Sequence, residues 1–246
     1  MMNSLSDHQL SAAIRVARIL NPAGSDAASL ELSLPLVISQ GEHRAEDLRV
    51  GLALLVDAEL AFAGAAGVRG TSELSALVAL DDASALRELR RLLQVKEQQS
   101  DRALLGSAGE AAVVAACRAE LLVVGRPDLQ AEIIQVSLFD DTLGYDIAAP
   151  TLRGTARRLE VKTTSQVSGG VFQFYLSRNE YDVGCRNPSE WALVACERRG
   201  ELIDIVGWCR ASALAPYLPQ DHRGRWTEAL VRVPCSMLIE GTPSCV

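Results

Sequence analysis

Lysine is almost missing from this chain: of its 24 basic residues all are Arg except Lys96 and Lys162. An excess of positive charge is missing as well, because 31 Asp and Glu leave a formal net charge of −7. That excludes a histone-like carpet of basic side chains but leaves room for a local basic groove. No apolar run approaches the roughly 20 residues of a membrane helix, and the opening MMNSLSDHQL has no signal-peptide core. The expectation is a cytoplasmic protein with no membrane partner. The six cysteines (117, 185, 196, 209, 235 and 245) contain no CxxC pair, and the three histidines (8, 43 and 222) accompany none of them. A zinc site is therefore not expected, and the thiols are expected to be reduced. Cys245 is next to last, which is out of place for a prenylation box.

What is present is ordinary globular material, 48% hydrophobic and 22% charged, and 246 residues suffice for two modest domains. Leu10, Ala13, Ile14, Ala17 and Leu20 recur at helical spacing up to Asn21-Pro22. A second helix is expected from about Ala45 to Ala58, with Leu48, Leu52, Leu55 and Val56 on one side. A short hairpin should follow around Gly64 and Gly67. Helix, strand, glycine turn and strand resemble the end of a winged helix. From Ser84 to about Leu105 the pattern predicts an amphipathic connector helix. Gly106-Ser107 is expected to interrupt it, and a second helix from Ala108 to about Val124, apolar on nearly every side, should be buried. The period then becomes alternating, with strands expected at 144–149, 156–164, 171–176, 190–197 and 202–208 and a capped helix after Ser177. The domains are accordingly 1–82, a connector at 83–105, and 106–246.

The informative segment runs from Gly144 to Ser165. Read as two antiparallel strands turning at Arg153-Gly154, it places Tyr145 opposite Val161 and Ile147 opposite Leu159, four apolar residues on one face. The same register places Asp146 opposite Glu160, with Lys162 two residues further along that face. Directly opposed side chains have Cβ atoms about 5 Å apart, which is destabilising for two carboxylates. Such a pair either takes up a proton or recruits a cation, and Mg²⁺ held by carboxylates, water and phosphate oxygens resolves the conflict. An ammonium beside it can hold a water and offset charge on a phosphate in transition. The pattern points to a metal-dependent phosphodiesterase.

Asp146 followed by Glu160-Val161-Lys162 resembles the PD-(D/E)xK nuclease superfamily. More narrowly, Gly109-Glu110, Gly144-Tyr145-Asp146-Ile147, Leu159-Glu160-Val161-Lys162 and Asn179-Glu180 resemble the domain at the C-terminus of NO VEIN-type proteins, over about residues 100–210. The resemblance implies an α/β fold with a restriction-endonuclease-like α-β-β-β-α-β core on a mixed sheet, here preceded by the small winged-helix-like α+β domain. It also implies Mg²⁺-dependent (or Mn²⁺-dependent) phosphodiester cleavage, with DNA as the expected substrate and RNA left open. Asp146 and Glu160 would ligate the metal with the Val161 carbonyl, and Lys162 would position the attacking water. A setting in phage or genome defence is implied, with double-stranded DNA, a second copy of the chain or a defence-system protein as partner. Tyr145 stands where the superfamily has Pro, and Thr163-Thr164 where the narrower pattern has a glycine.

Several residues carry two readings. Glu110 matches the family's helix-borne acid, yet Ser107-Ala-Gly-Glu110 also reads as a capping box; for Ser177-Arg-Asn-Glu180 capping is the favoured role. If Phe172, Phe174 and Leu176 join Leu159 and Val161 in the core, then Gln173 and Tyr175 lie on the Asp146 face and could bind phosphate. Arg157, Arg158 and Arg178 flank the hairpin and could meet a nucleic-acid backbone. Trp191 and Trp208 read as core. Arg44 and Arg49 would lie on a recognition helix, but residues 1–100 hold nine basic and thirteen acidic side chains, so DNA binding there is expected to be weak at best and a protein-interaction or dimerisation role is an equal reading. A non-catalytic docking module on the same fold is the competing reading, and a transcription regulator is a third.

Overall fold

The computed structural model describes residues 5–20, 43–64, 67–221 and 224–244. The chain divides into two compact units, Met1–Asp101 and Arg102–Val246. In the first, α1 (Asp7–Leu20) and α2 (Ala45–Asp57) bury Leu10, Ala13, Ile14, Ala17, Leu48 and Leu55 in one core. Val56, expected on that side, is exposed, and Leu54 is buried instead. Then follow β1 (Ala61–Gly64) and β2 (Gly67–Gly70), an antiparallel hairpin, and α3 (Ser72–Val78), whose first turn is capped by Thr71 Oγ1 accepting the Leu74 N–H.

A single helix, α4, spans Asp82–Val123, 42 residues, and overturns the expected break at Gly106-Ser107. A helix-interior glycine costs only about 1 kcal/mol, and strong helix formers flank this one on both sides. Nor is the C-terminal part buried all round. Its buried stripe is Gly109, Val113, Cys117 and Leu121 at i, i+4 spacing, while Val123 is 87% exposed. The helix closes where the Gly125 and Arg126 amides bond back to the carbonyls of Leu122 and Leu121.

The second unit is built on a mixed five-stranded sheet of order β3-β4-β5-β7-β8, comprising β3 (Ile134–Gln135), β4 (Ile147–Pro150), β5 (Ala156–Thr164), β7 (Trp191–Arg199) and β8 (Leu202–Cys209). Neighbours are antiparallel except β5 and β7, which are parallel. Between β5 and β7 the chain makes β6 (Val171–Ser177) and α5 (Arg178–Arg186). After β8 come the one-turn α6 (Ala211–Leu214) and β9 (Glu228–Pro234), a strand that the sequence reading did not include. β6 pairs with β9 in a separate two-stranded ribbon, not with the central sheet. No described helix is long and apolar enough to cross a membrane.

Both faces of the central sheet are covered, so β7 is buried continuously from Trp191 to Glu197. On one face Val113, Cys117 and Leu121 of α4 meet Ile147, Leu159, Val161, Val194 and Cys196. On the other, Phe172, Phe174, Leu176, Val231 and Val233 of the ribbon meet Trp191, Leu193 and Ala195. The aromatic alternation of β6 was therefore read correctly as to which residues are apolar, but they join the core opposite to Leu159 and Val161. Tyr145 also packs on that second side, not with Ile147 and Leu159. Trp191 is fully buried and Trp208 partly so, both as core residues.

Candidate active site

The β4–β5 hairpin has the expected register, from Ile147 opposite Leu159 to Pro150 opposite Ala156, with its turn closed by Thr151 and Thr155. One residue ahead of β4, the Asp146 N–H donates at 2.9 Å to the carbonyl of Leu159, the residue already opposite Ile147, so the regular pairing stops before Asp146 and Asp146 is not paired with Glu160 as the hairpin reading expected. The Asp146 carbonyl accepts from Val136 N at 2.6 Å, and its carboxylate Oδ2 accepts the Val161 N–H at 2.7 Å. The side chain is thereby clamped at the point where the β4 ladder ends. Gly144, at φ 72°, lets the chain turn into this position, and its carbonyl accepts the Trp191 indole N–H at 3.1 Å.

Glu160 and Lys162 follow at alternate positions of β5. Glu160 is only 2% exposed, and its Oε1 lies 2.8 Å from Lys162 Nζ. The same ammonium reaches Glu180 Oε2 at 3.1 Å. Glu180 stands in the first turn of α5, where it completes the expected capping box by accepting the Ser177 N–H at 2.8 Å. Capping and pairing with Lys162 are thus both performed by one carboxylate.

Glu110 is not a capping residue, since Ser107 is interior to α4. Its Oε2 accepts from Gln135 Nε2 at 2.7 Å and from Ser137 Oγ at 2.5 Å, so two neutral donors aim it. α4 reaches this place because Gly109 lacks a side chain: a Cβ there would sit 1.8 Å from Thr163 Oγ1. Thr163 in turn sits in a regular β5, paired with Cys196 of β7, so the missing glycine after Lys162 does not disturb the strand. Gln135 and Ser137 were not legible as site residues, because 127–143 is a run of short turns with no periodicity.

Glu110, Asp146, Glu160, Val161, Lys162 and Glu180 line one pocket of about 260 Å³ together with Gly144 and Tyr145. Four carboxyl groups there face one ammonium. Burial, reinforced by Glu110 and Glu180, raises Asp146 from the usual 3.8 to about 6, although the Val161 N–H and Lys162 pull the other way. Burial also drives Glu160 well above the ordinary carboxylate value, Asp146 adding to the effect and Lys162 offsetting part of it. For Lys162 burial alone would lower the ammonium, but Glu160, Glu180 and Asp146 outweigh it and raise it. The same three carboxylates therefore favour the charged form of Lys162. The carboxylate oxygens, with the Val161 carbonyl alongside, are the donor type that a hard divalent cation selects, and such an ion would relieve the crowding of negative charge.

The other expected ligand-binding residues lie elsewhere. Gln173 accepts from Arg232 Nε at 2.8 Å on the outer face of the ribbon, and Tyr175 beside it is 51% exposed. Because Phe172, Phe174 and Leu176 point into the second core, the alternate residues point away from the sheet that carries Asp146. Arg158 bonds Asn187, approaches Glu190 at 3.5 Å and covers the Tyr145 ring. Arg157 is buried against Glu120 and the Pro243 carbonyl. Arg178 joins Asp182 and Asp221 and stacks over Trp226. All three arginines thus tie protein elements together. In the first unit Arg44 is the N-cap residue of α2, and Arg49 is exposed on that helix.

Comparison with curated proteins and with solved structures found no match. Residues 109–201, a stretch that includes every acid of the pocket and Lys162, match the family described as Protein NO VEIN, C-terminal.

Proposed function

We propose that the second unit is a metal-dependent nuclease of the PD-(D/E)xK type that hydrolyses phosphodiester bonds in DNA. The observation that carries this reading is one pocket in which Glu160 and Glu180 share the Lys162 ammonium while the carboxyl groups of Asp146 and Glu110 line the same space. The order α4, β4, β5, β6, α5, β7 supports it, being the helix, three strands, helix and strand that the resemblance implies once the two-residue β3 is set aside. The separation of β6 into its own ribbon is the point of departure from that core.

Asp146 and Glu160, with the Val161 carbonyl, would hold Mg²⁺ or Mn²⁺. When bound, the ion supplies Lewis acidity toward a phosphoryl oxygen. The chain's own residues do the rest. The Val161 N–H keeps Asp146 in its rotamer, Gln135 and Ser137 keep Glu110 turned into the pocket, and Glu180 holds Lys162 from the helix side. Lys162 donates to the attacking water and offsets charge developing on the phosphate. Glu110, turned into the same pocket, would bind the metal directly or through water. Purified protein with Mg²⁺ should cleave DNA, and Asp146→Ala or Lys162→Ala should lose nearly all cleavage while remaining folded. Cleavage at the parental level by either variant refutes the assignment.

One observation favours a second reading, a docking module without catalysis: Lys162 already balances Glu160 and Glu180 without any ion. The acidic first unit would then serve protein docking, and its winged-helix-like character would be incidental to DNA. Thermal melts separate the two readings, since an ion that binds only the native state raises Tm. A pure docking module gives no Mg²⁺ or Mn²⁺ shift.

A further inference from the structure

The first unit brings together three side chains that phosphodiester hydrolysis leaves unused. His8 is in the first turn of α1, His43 stands just ahead of α2, and Asp47 is in the first turn of α2. One potential ligand atom from each lies within 4.8 Å of the other two. His8 Nε2 is 3.4 Å from Asp47 Oδ2, and the two imidazole rings are 4.8 Å apart, tilted by 48°. His43 is 8% exposed, and its buried Nδ1 has no hydrogen-bond partner among the described residues. A buried polar atom in that condition is costly, and none of the described groups satisfies this nitrogen.

We propose that His8, His43 and Asp47 form a transition-metal site, best suited to Zn²⁺, that joins the start of α1 to the start of α2. Two imidazoles and a carboxylate are a borderline donor set, unlike the all-oxygen pocket of the second unit, and hard cations such as Mg²⁺ do not select it. Ligands about 2.1 Å from zinc in a tetrahedron lie about 3.4 Å from one another, which is the separation His8 and Asp47 already have. The third donor, on His43, lies within 4.8 Å of the other two. Three protein ligands leave a fourth position for water or for a group from a partner. The expectation of no zinc site rested on cysteine spacing, and His8 and His43 are too distant in sequence to form a readable motif.

The test is Co²⁺ and Zn²⁺ titration of the full-length chain, without a polyhistidine tag and stripped by chelator. Co²⁺ reports tetrahedral nitrogen–oxygen ligation through its visible absorption, and Zn²⁺ should displace it one for one. The expected result is one equivalent of tetrahedral Co²⁺ per chain, with its affinity lowered at least tenfold by His8→Ala and by Asp47→Asn. Asp146→Asn should leave the spectrum and the affinity unchanged, which distinguishes this site from the acid pocket. His8 is 56% exposed in its side chain, so His8→Ala should keep the parental Tm in chelator and separate ligand loss from unfolding. An unchanged spectrum and affinity in His8→Ala overturns the proposal, as does parental protein that gives no tetrahedral spectrum.

Discussion

Replacing Asp146 by asparagine should make the metal-free protein more stable at pH 8. Asparagine keeps the shape and the acceptor for the Val161 N–H but carries no charge in a pocket that already holds Glu110, Glu160 and Glu180. The folded-state value of Asp146 is raised from 3.8 to about 6, so between those two values the native protein retains a proton that the unfolded chain has released. Stability falls as pH rises through that window and is level above it. The gap is worth about 3 kcal/mol at neutral pH and above. Urea denaturation of both proteins in chelator from pH 4 to pH 8 should show curves that meet near pH 4 and separate by up to that amount in favour of Asp146→Asn. Millimolar Mg²⁺ should narrow the difference by stabilising only the parental protein. An asparagine variant that is less stable at pH 8, or equal to the parent across the range, refutes the electrostatic argument.

Lys162→Met leaves Glu160 buried without its partner and should cost about 3–5 kcal/mol at pH 8; Glu160→Gln in the same chain should restore most of the loss, as read by urea midpoints. Gly109→Ala drives a methyl group into Thr163 Oγ1 and should cost about 1–3 kcal/mol, with partial recovery in Thr163→Ala measured by calorimetry. Ser177→Ala removes the cap of α5 and should cost about 1 kcal/mol in thermal melts. It should leave cleavage near the parental level, because the bond that holds the Glu180 carboxylate comes from the Ser177 backbone N–H, which alanine keeps.

The paired part of the hairpin is legible because two constraints act on it together: strict alternation and a turn at Arg153-Gly154 favour the register that buries Ile147 and Leu159. Beyond Ile147 the pairing stops and Tyr145 leaves that face, yet Asp146, Glu160, Val161 and Lys162 still meet in one pocket with Glu110. Alternation in β6 says which side chains share a face but not which of two cores that face meets, so Gln173 and Tyr175 were placed at the wrong surface. The partner of β6 was overlooked although Ala229, Val231 and Val233 alternate in plain view. A helix-interior glycine costs only about 1 kcal/mol, and α4 carries Gly106 through although nothing packs against it. The donors to Glu110 and the His8, His43 and Asp47 cluster depend on contacts between distant segments, which no local pattern encodes.

The most direct measurement is anomalous diffraction from crystals soaked in Mn²⁺. The account predicts a manganese peak bonded to carboxylate oxygens of both Asp146 and Glu160, with Lys162 drawn away from its present 2.8 Å contact. Saturating Mn²⁺ with no peak in that pocket, and the Glu160–Lys162 pair intact, would contradict it.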